Sequence, residues 1–156
     1  MPRLLLAAVL GLMLAPAAYA QKGSGGNDPY LESFFLAQGA VPNGQLVKVR
    51  GEAGGVIGFY FWYDGRIIEV EVKDKVIVKQ EDAKDSNKVS KDVLTLLDKK
   101  LKSRAKIPDG RLLEIAAEGL KGTPLSDMKY VKNGDNLYAV FGDIMVDVTT
   151  GKLVTK

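Results

Sequence analysis

Two runs rich in aromatic and β-branched residues meet at one Asp-Gly pair, and they constrain the fold more than anything else in the chain. Val56-Ile57-Gly58-Phe59-Tyr60-Phe61-Trp62-Tyr63 is followed by Asp64-Gly65 and then by Arg66-Ile67-Ile68-Glu69-Val70-Glu71-Val72-Lys73. Such a pattern predicts two antiparallel strands closed by a two-residue turn. A turn of that length fixes the register: Tyr63 opposite Arg66, then Trp62–Ile67, Phe61–Ile68, Tyr60–Glu69 and Phe59–Val70. Side chains alternate across a strand, so each face can be read off. Phe59, Phe61, Tyr63, Ile68, Val70 and Val72 form the face to bury under helices. Tyr60, Trp62, Ile67, Glu69 and Glu71 form the other.

A second hairpin follows the same logic. With Gly142-Asp143 as the turn, Phe141 faces Ile144, Val140 faces Met145 and Tyr138 faces Asp147. Leu137, Ala139, Phe141, Ile144, Val146 and Val148 then make the inner face. Tyr138, Val140, Met145 and Asp147 make the outer one.

Around these hairpins the chain repeats one plan. Asp28-Pro29 reads as a helix start, and Tyr30, Leu31, Phe34, Phe35 and Ala37 lead to Gly39. Strand-like runs follow at 45–50, 56–63, 66–73 and 76–80, with Leu46 and Lys48 on one side of the first and Val47 and Val49 on the other. Glu81–Asn87 reads as a polar linker. Pro108-Asp109 opens another helix, stopped at Gly122-Thr123-Pro124, and short strands follow at 128–132, 137–141, 143–149 and 153–155. Between the two sets, Val89, Val93, Leu96, Leu97 and Leu101 recur at helical spacing among lysines. The expectation is an α+β fold of two helix–β-β-β units, with antiparallel sheets and helices packed on one face, joined by an extra helix. The units span 28–87 and 108–156, and the connecting helix lies in 88–107.

The first 20 residues have another purpose. Met-Pro-Arg, an apolar run from Leu4 to Leu14 and the small-residue ending Ala15-Pro16-Ala17-Ala18-Tyr19-Ala20 form a signal-peptide pattern. The run is too short to span a bilayer. Residues 21–27 are a flexible leader. The expected location is periplasmic or secreted, with no membrane span after cleavage.

Composition narrows the chemistry. The chain has no His and no Cys, which removes Ser-His-Asp and Cys-His catalysis, disulfides and the usual zinc, copper and haem ligands. A formal net charge of +3, one unit of it from Arg3 in the leader, is too mild to argue for nucleic acid. Gly51–Gly58 resembles a phosphate loop but lacks the Lys-Ser/Thr ending. Ser103-Arg104-Ala105-Lys106 matches a hydrolase tetrapeptide without its companion motifs, and reads as the solvated end of a helix. No enzyme activity and no cofactor are expected.

The C-terminal half resembles the PepSY family through Ile115-Ala116-Ala117-Glu118-Gly119, Met128-Lys129-Tyr130-Val131, Leu137-Tyr138-Ala139-Val140 and the ending Val146-Asp147-Val148-Thr149-Thr150-Gly151-Lys152-Leu153. In the N-terminal half Lys73-Asp74-Lys75 stands where Thr-Gly-Lys is expected. The resemblance implies an inhibitory, chaperone-like or ligand-binding role without catalysis. On the outward face, Tyr60, Trp62, Glu69, Glu71, Tyr138 and Met145 are the candidate contacts for an exported protein or peptide. A second reading makes Glu69, Glu71 and Asp147 oxygen ligands for Ca²⁺ or a lanthanide-like cation. Asp147 also has a local reading, in which its carboxylate accepts turn amides in Asp-x-x-Thr-Gly.

Overall fold

The computed structural model describes residues 29–85, 88–125 and 127–155, so the signal-peptide and leader expectations (1–20 and 21–27), with Asp28, lie outside the described residues. The described chain is an α+β fold. Its strands form one eight-stranded antiparallel sheet, and helices pack against it.

Helix α1 (Pro29–Ala40) is followed by β1 (Gln45–Gly51), a single 3₁₀ turn (Ala53–Gly55), β2 (Ile57–Tyr63), β3 (Arg66–Lys73) and β4 (Val76–Asp82). After α2 (Lys91–Lys102), the second set runs α3 (Asp109–Gly119), β5 (Met128–Asn133), β6 (Asn136–Phe141), β7 (Ile144–Asp147) and β8 (Leu153–Thr155). The spatial order is β4-β3-β2-β1-β5-β6-β7-β8. Each set is a meander, and the two first strands lie side by side at the centre.

Both hairpins have the register that their turns dictate, from Tyr63↔Arg66 to Phe59↔Val70 and from Phe141↔Ile144 to Tyr138↔Asp147. Asp64 and Gly65 both take positive φ, 51° and 74°, the conformation an Asp-Gly hairpin turn needs. The inner face is the expected one. Phe59, Phe61, Val70, Val72, Leu137, Ala139, Phe141, Val146 and Val148 are buried. Ile144 is half-buried, and Tyr63 is 39% exposed at the end of its strand.

The helices supply the other half of the core. Phe34 of α1 stacks its ring 6.2 Å from that of Phe59 and 6.3 Å from that of Phe61. Leu112, Leu113 and Ala116 of α3 are buried, and Gly119 passes so close to Leu153 and Ile144 that a Cβ there would touch them. Burying each such large apolar side chain stabilises the fold by about 1.5–3 kcal/mol. In α2, Ser90 caps the N-terminus through the amide of Val93, and Val93, Leu96 and Leu97 are buried while the lysines point outward.

Three expectations are corrected. In β1 the register shifts between Leu46 and Lys48, so Leu46 pairs with Phe61 and Val49 with Phe59, on the same face. The bulge absorbs one residue, and simple alternation therefore fails across Val47. Strand β4 runs on to Asp82, pairing Glu81 with Glu69, so the polar linker starts later than its composition suggests. Lys106 is not solvated: its side chain is 2% exposed and its ammonium pairs with Asp109.

The seam between the two sets is short. Strands β1 and β5 share two residue pairs, Lys48↔Lys129 and Val49↔Met128. On either side of these, aspartates of the second set take the β1 amides. The Leu46 amide donates to Asp109 Oδ2 at 2.8 Å, and the Gly51 amide donates to Asp127 Oδ1 at 2.7 Å.

Candidate functional site: the sheet face opposite α1 and α3

Helices α1 and α3 cover the face bearing Phe59, Phe61, Ile144 and Leu153. The candidate contacts read from the sequence all belong to the opposite face, but the structure treats them differently.

Tyr60 and Glu69 are sealed, at 0% and 2% exposed, so neither can serve as an accessible anchor. The reason is local. Gly58 has no side chain, which lets the Tyr60 ring lie along its own strand; a Cβ at Gly58 would be 3.3 Å from Tyr60 Cε2. The phenol donates a 2.6 Å hydrogen bond to Glu69 Oε1, and Lys48 Nζ sits 5.4 Å from the ring centroid. Burial, and then the bond to Glu69, push the Tyr60 hydroxyl well above its ordinary pKa.

Glu71 belongs to the same network. Lys79 of β4 places its ammonium 3.0 Å from Glu71 Oε1, 3.0 Å from Glu81 Oε1 and 3.4 Å from Glu69 Oε2. Hydrogen bonds to Glu81 and Glu71 hold that ammonium above the usual lysine range. Glu52, from the loop after β1, brings a third carboxylate within 4.8 Å of those of Glu69 and Glu71.

Asp147 is not part of this group. It lies on β7, five strand steps from β3, or roughly 24 Å at the usual strand spacing. Its carboxylate instead accepts the amides of Thr149 (2.8 Å) and Thr150 (3.1 Å), with Gly151 at φ 73° closing the turn. The ligand set Glu69, Glu71 and Asp147 is therefore not assembled, and the local reading of Asp147 holds.

Trp62 is half-buried, and its indole N–H donates to Asp98 Oδ1 of α2 at 3.1 Å. It borders a cavity of about 250 Å³ with Ile67, Ala83, Val89 and Leu94. The indole thus fastens the connecting helix to the β2–β3 hairpin and is not an unattached contact.

Tyr138 and Met145 remain half-exposed. Together with Val131 (39% exposed), Val154 (37%) and the more covered Val140, they make an apolar strip over β5 to β8. Beside it, over the seam, lies a groove of about 640 Å³ lined by Lys48, Arg50, Asp127, Lys129, Val140 and Gly142. Lys48 is held below the ordinary lysine pKa, first by burial and then by the neighbouring Arg50 charge.

Sequence reasoning missed the groove because nothing local announces that β1 pairs with β5. Lys48 and Arg50 do alternate on β1, which was the available signal. Glu52 and Lys79 were missed for a similar reason, since a loop and an edge strand carry them onto a face read from β2 and β3 alone.

No family model matches the sequence, and no curated protein does. Among solved structures, one that this chain matches is described as a "putative lipoprotein" of Clostridium difficile 630, at 12% identity, a TM-score of 0.40, and coverage of 81% of this chain and 90% of that one. Among the described residues, no helix is long and apolar enough to cross a membrane.

Proposed function

We propose that this protein is an exported, non-catalytic binding module that holds a polypeptide partner on the sheet face opposite α1 and α3. One observation carries the reading: that face combines an open groove over the seam with an adjoining apolar strip of Val131, Tyr138, Val140, Met145 and Val154. Half-wet aromatic and thioether groups next to charges suit recognition surfaces. The leader pattern in residues 1–20 supports export, and the absence of His and Cys supports a role without catalysis. The PepSY resemblance of residues 109–155 fits an inhibitory or chaperone-like role toward an envelope peptidase or another exported protein.

Photocrosslinking tests the reading. A photoreactive residue at Tyr138 or Met145 should capture an envelope protein, and one at Glu118 on α3 should not. Equal capture from both positions, or none, would sink it.

A second reading, a carboxylate cation site, is favoured by Glu52 joining Glu69 and Glu71. Lys79 already supplies a cation to two of these carboxylates, so a metal ion must displace it. Micromolar Tb³⁺ luminescence that is lost in Glu52→Gln would support this reading, and its absence up to millimolar ion would retire it.

A further inference from the structure

Lys48 and Lys129 face each other directly across the two-pair ladder that joins the halves of the sheet. Like charges directly opposed on neighbouring strands are destabilising. Arg50 adds a third cation two residues along β1 on the same face, as its pairing with Gly58 shows. All three line the same groove, and Asp127 is the one carboxylate among its described lining residues. Asp127 already accepts the Gly51 amide. A fold with eight strands to place these residues has concentrated positive charge at its most central point. Lys48 also lies by the Tyr60 ring, with Glu69 and Asp127 as nearby counter-charges, yet Lys129 stands opposite it and Arg50 beside it along one open groove. A local rule broken at an open groove points to a functional site.

Resting on the face reading above, we infer that the seam groove is an anion subsite that takes the side-chain carboxylates of an acidic, extended polypeptide segment. The strip from Val131 to Val154 receives the apolar side chains of that segment. Charge complementarity selects the occupant. Lys48, Arg50 and Lys129 offer donors to a carboxylate, while the neighbouring Val140, Met145 and Tyr138 offer apolar contact that a bare anion cannot use. An extended segment lying along the boundary between groove and strip turns alternate side chains to either side, so alternating acidic and apolar residues place one kind over the groove and the other over the strip.

Calorimetric titration tests this. The purified protein is titrated with a blocked octapeptide alternating Glu and Val, its Gln–Val counterpart, inorganic phosphate, and phosphatidylglycerol vesicles. The Glu–Val peptide should bind in a salt-sensitive way, at least about tenfold more tightly than the Gln–Val peptide. Lys48→Gln combined with Lys129→Gln should lose about tenfold or more with no fall in melting temperature, and Arg50→Gln provides the same test if the double variant folds poorly. Met145→Glu should weaken both peptides. Equal binding of the two peptides, with Met145→Glu still harmful, overturns the anion subsite and leaves the face reading standing. No binding by either peptide overturns both. Phosphate binding as tightly as the Glu–Val peptide, or vesicle binding without peptide binding, overturns the polypeptide assignment.

Discussion

Replacing Asp109 by Asn should destabilise the protein severely, because this carboxylate joins the two halves of the sheet. Asp109 sits in the first turn of α3 with its side chain 5% exposed. One oxygen accepts the Leu46 amide just before the β1–β5 ladder, and the other pairs with Lys106, itself 2% exposed. An Asn can still accept from Leu46 but leaves the Lys106 ammonium buried with the Ile107 carbonyl at 3.1 Å and no counter-charge. Breaking such a pair costs about 3–5 kcal/mol, most of it from the stranded charge. For a domain of this size that lowers the melting temperature by roughly 10–20 °C. Thermal and urea unfolding followed by circular dichroism measure it. Adding Lys106→Met to Asp109→Asn removes the stranded charge, so the double variant should lose about 1–3 kcal/mol less than the sum of the two single losses. A loss under about 1 kcal/mol for Asp109→Asn, or strict additivity, would refute the argument that this buried pair holds the seam.

Other outcomes follow from the same geometry. The hydroxyls of Tyr60 and Tyr130 are raised by burial, and secondarily by Glu69 and Asp109. Their contribution to stability is therefore intact below about pH 10, the unfolded value, and is lost as pH rises through the folded values. Ultraviolet phenolate titration should show both ionising only as the protein unfolds, and normal titration in the folded state would contradict their burial. Tyr60→Phe leaves Glu69 Oε1 without its donor and should cost about 1–3 kcal/mol in urea unfolding. Asp74 and Lys75 both hold positive φ (49° and 62°) in the β3–β4 turn, and Lys75→Gly should raise stability by about 0.5–1 kcal/mol despite losing an exposed bridge to Glu32. Gly44→Ala should cost about 1–3 kcal/mol in the same assay, since its Cβ would lie 2.8 Å from Phe61 Cβ.

Much of the fold was legible because two short turns leave little choice. Asp64-Gly65 and Gly142-Asp143 set the register of their hairpins, and alternation then placed Phe59, Phe61, Val70, Phe141 and Val146 inside. The site was less legible, because a face is completed by elements that are remote in sequence. Tyr60 and Glu69 alternate outward as the turn requires, yet Lys48 lies by the Tyr60 ring and Lys79 of β4 pairs with Glu69. Trp62 also points as expected, but Asp98 on α2 takes its N–H. Lys106 looked like part of a lysine-rich helix end, and only the placement of α3 against β1 gives it a buried partner. Pairing between β1 and β5 carries no local signature, so the groove at their junction could not be read from either strand alone.

The most direct measurement is an amide chemical-shift map of the ¹⁵N-labelled protein during titration with the Glu–Val octapeptide. The account predicts shifts concentrated at Lys48, Arg50, Lys129, Val131, Val140 and Met145, with α1 and α3 unmoved. Shifts confined to the helices, or none at millimolar peptide, would contradict it.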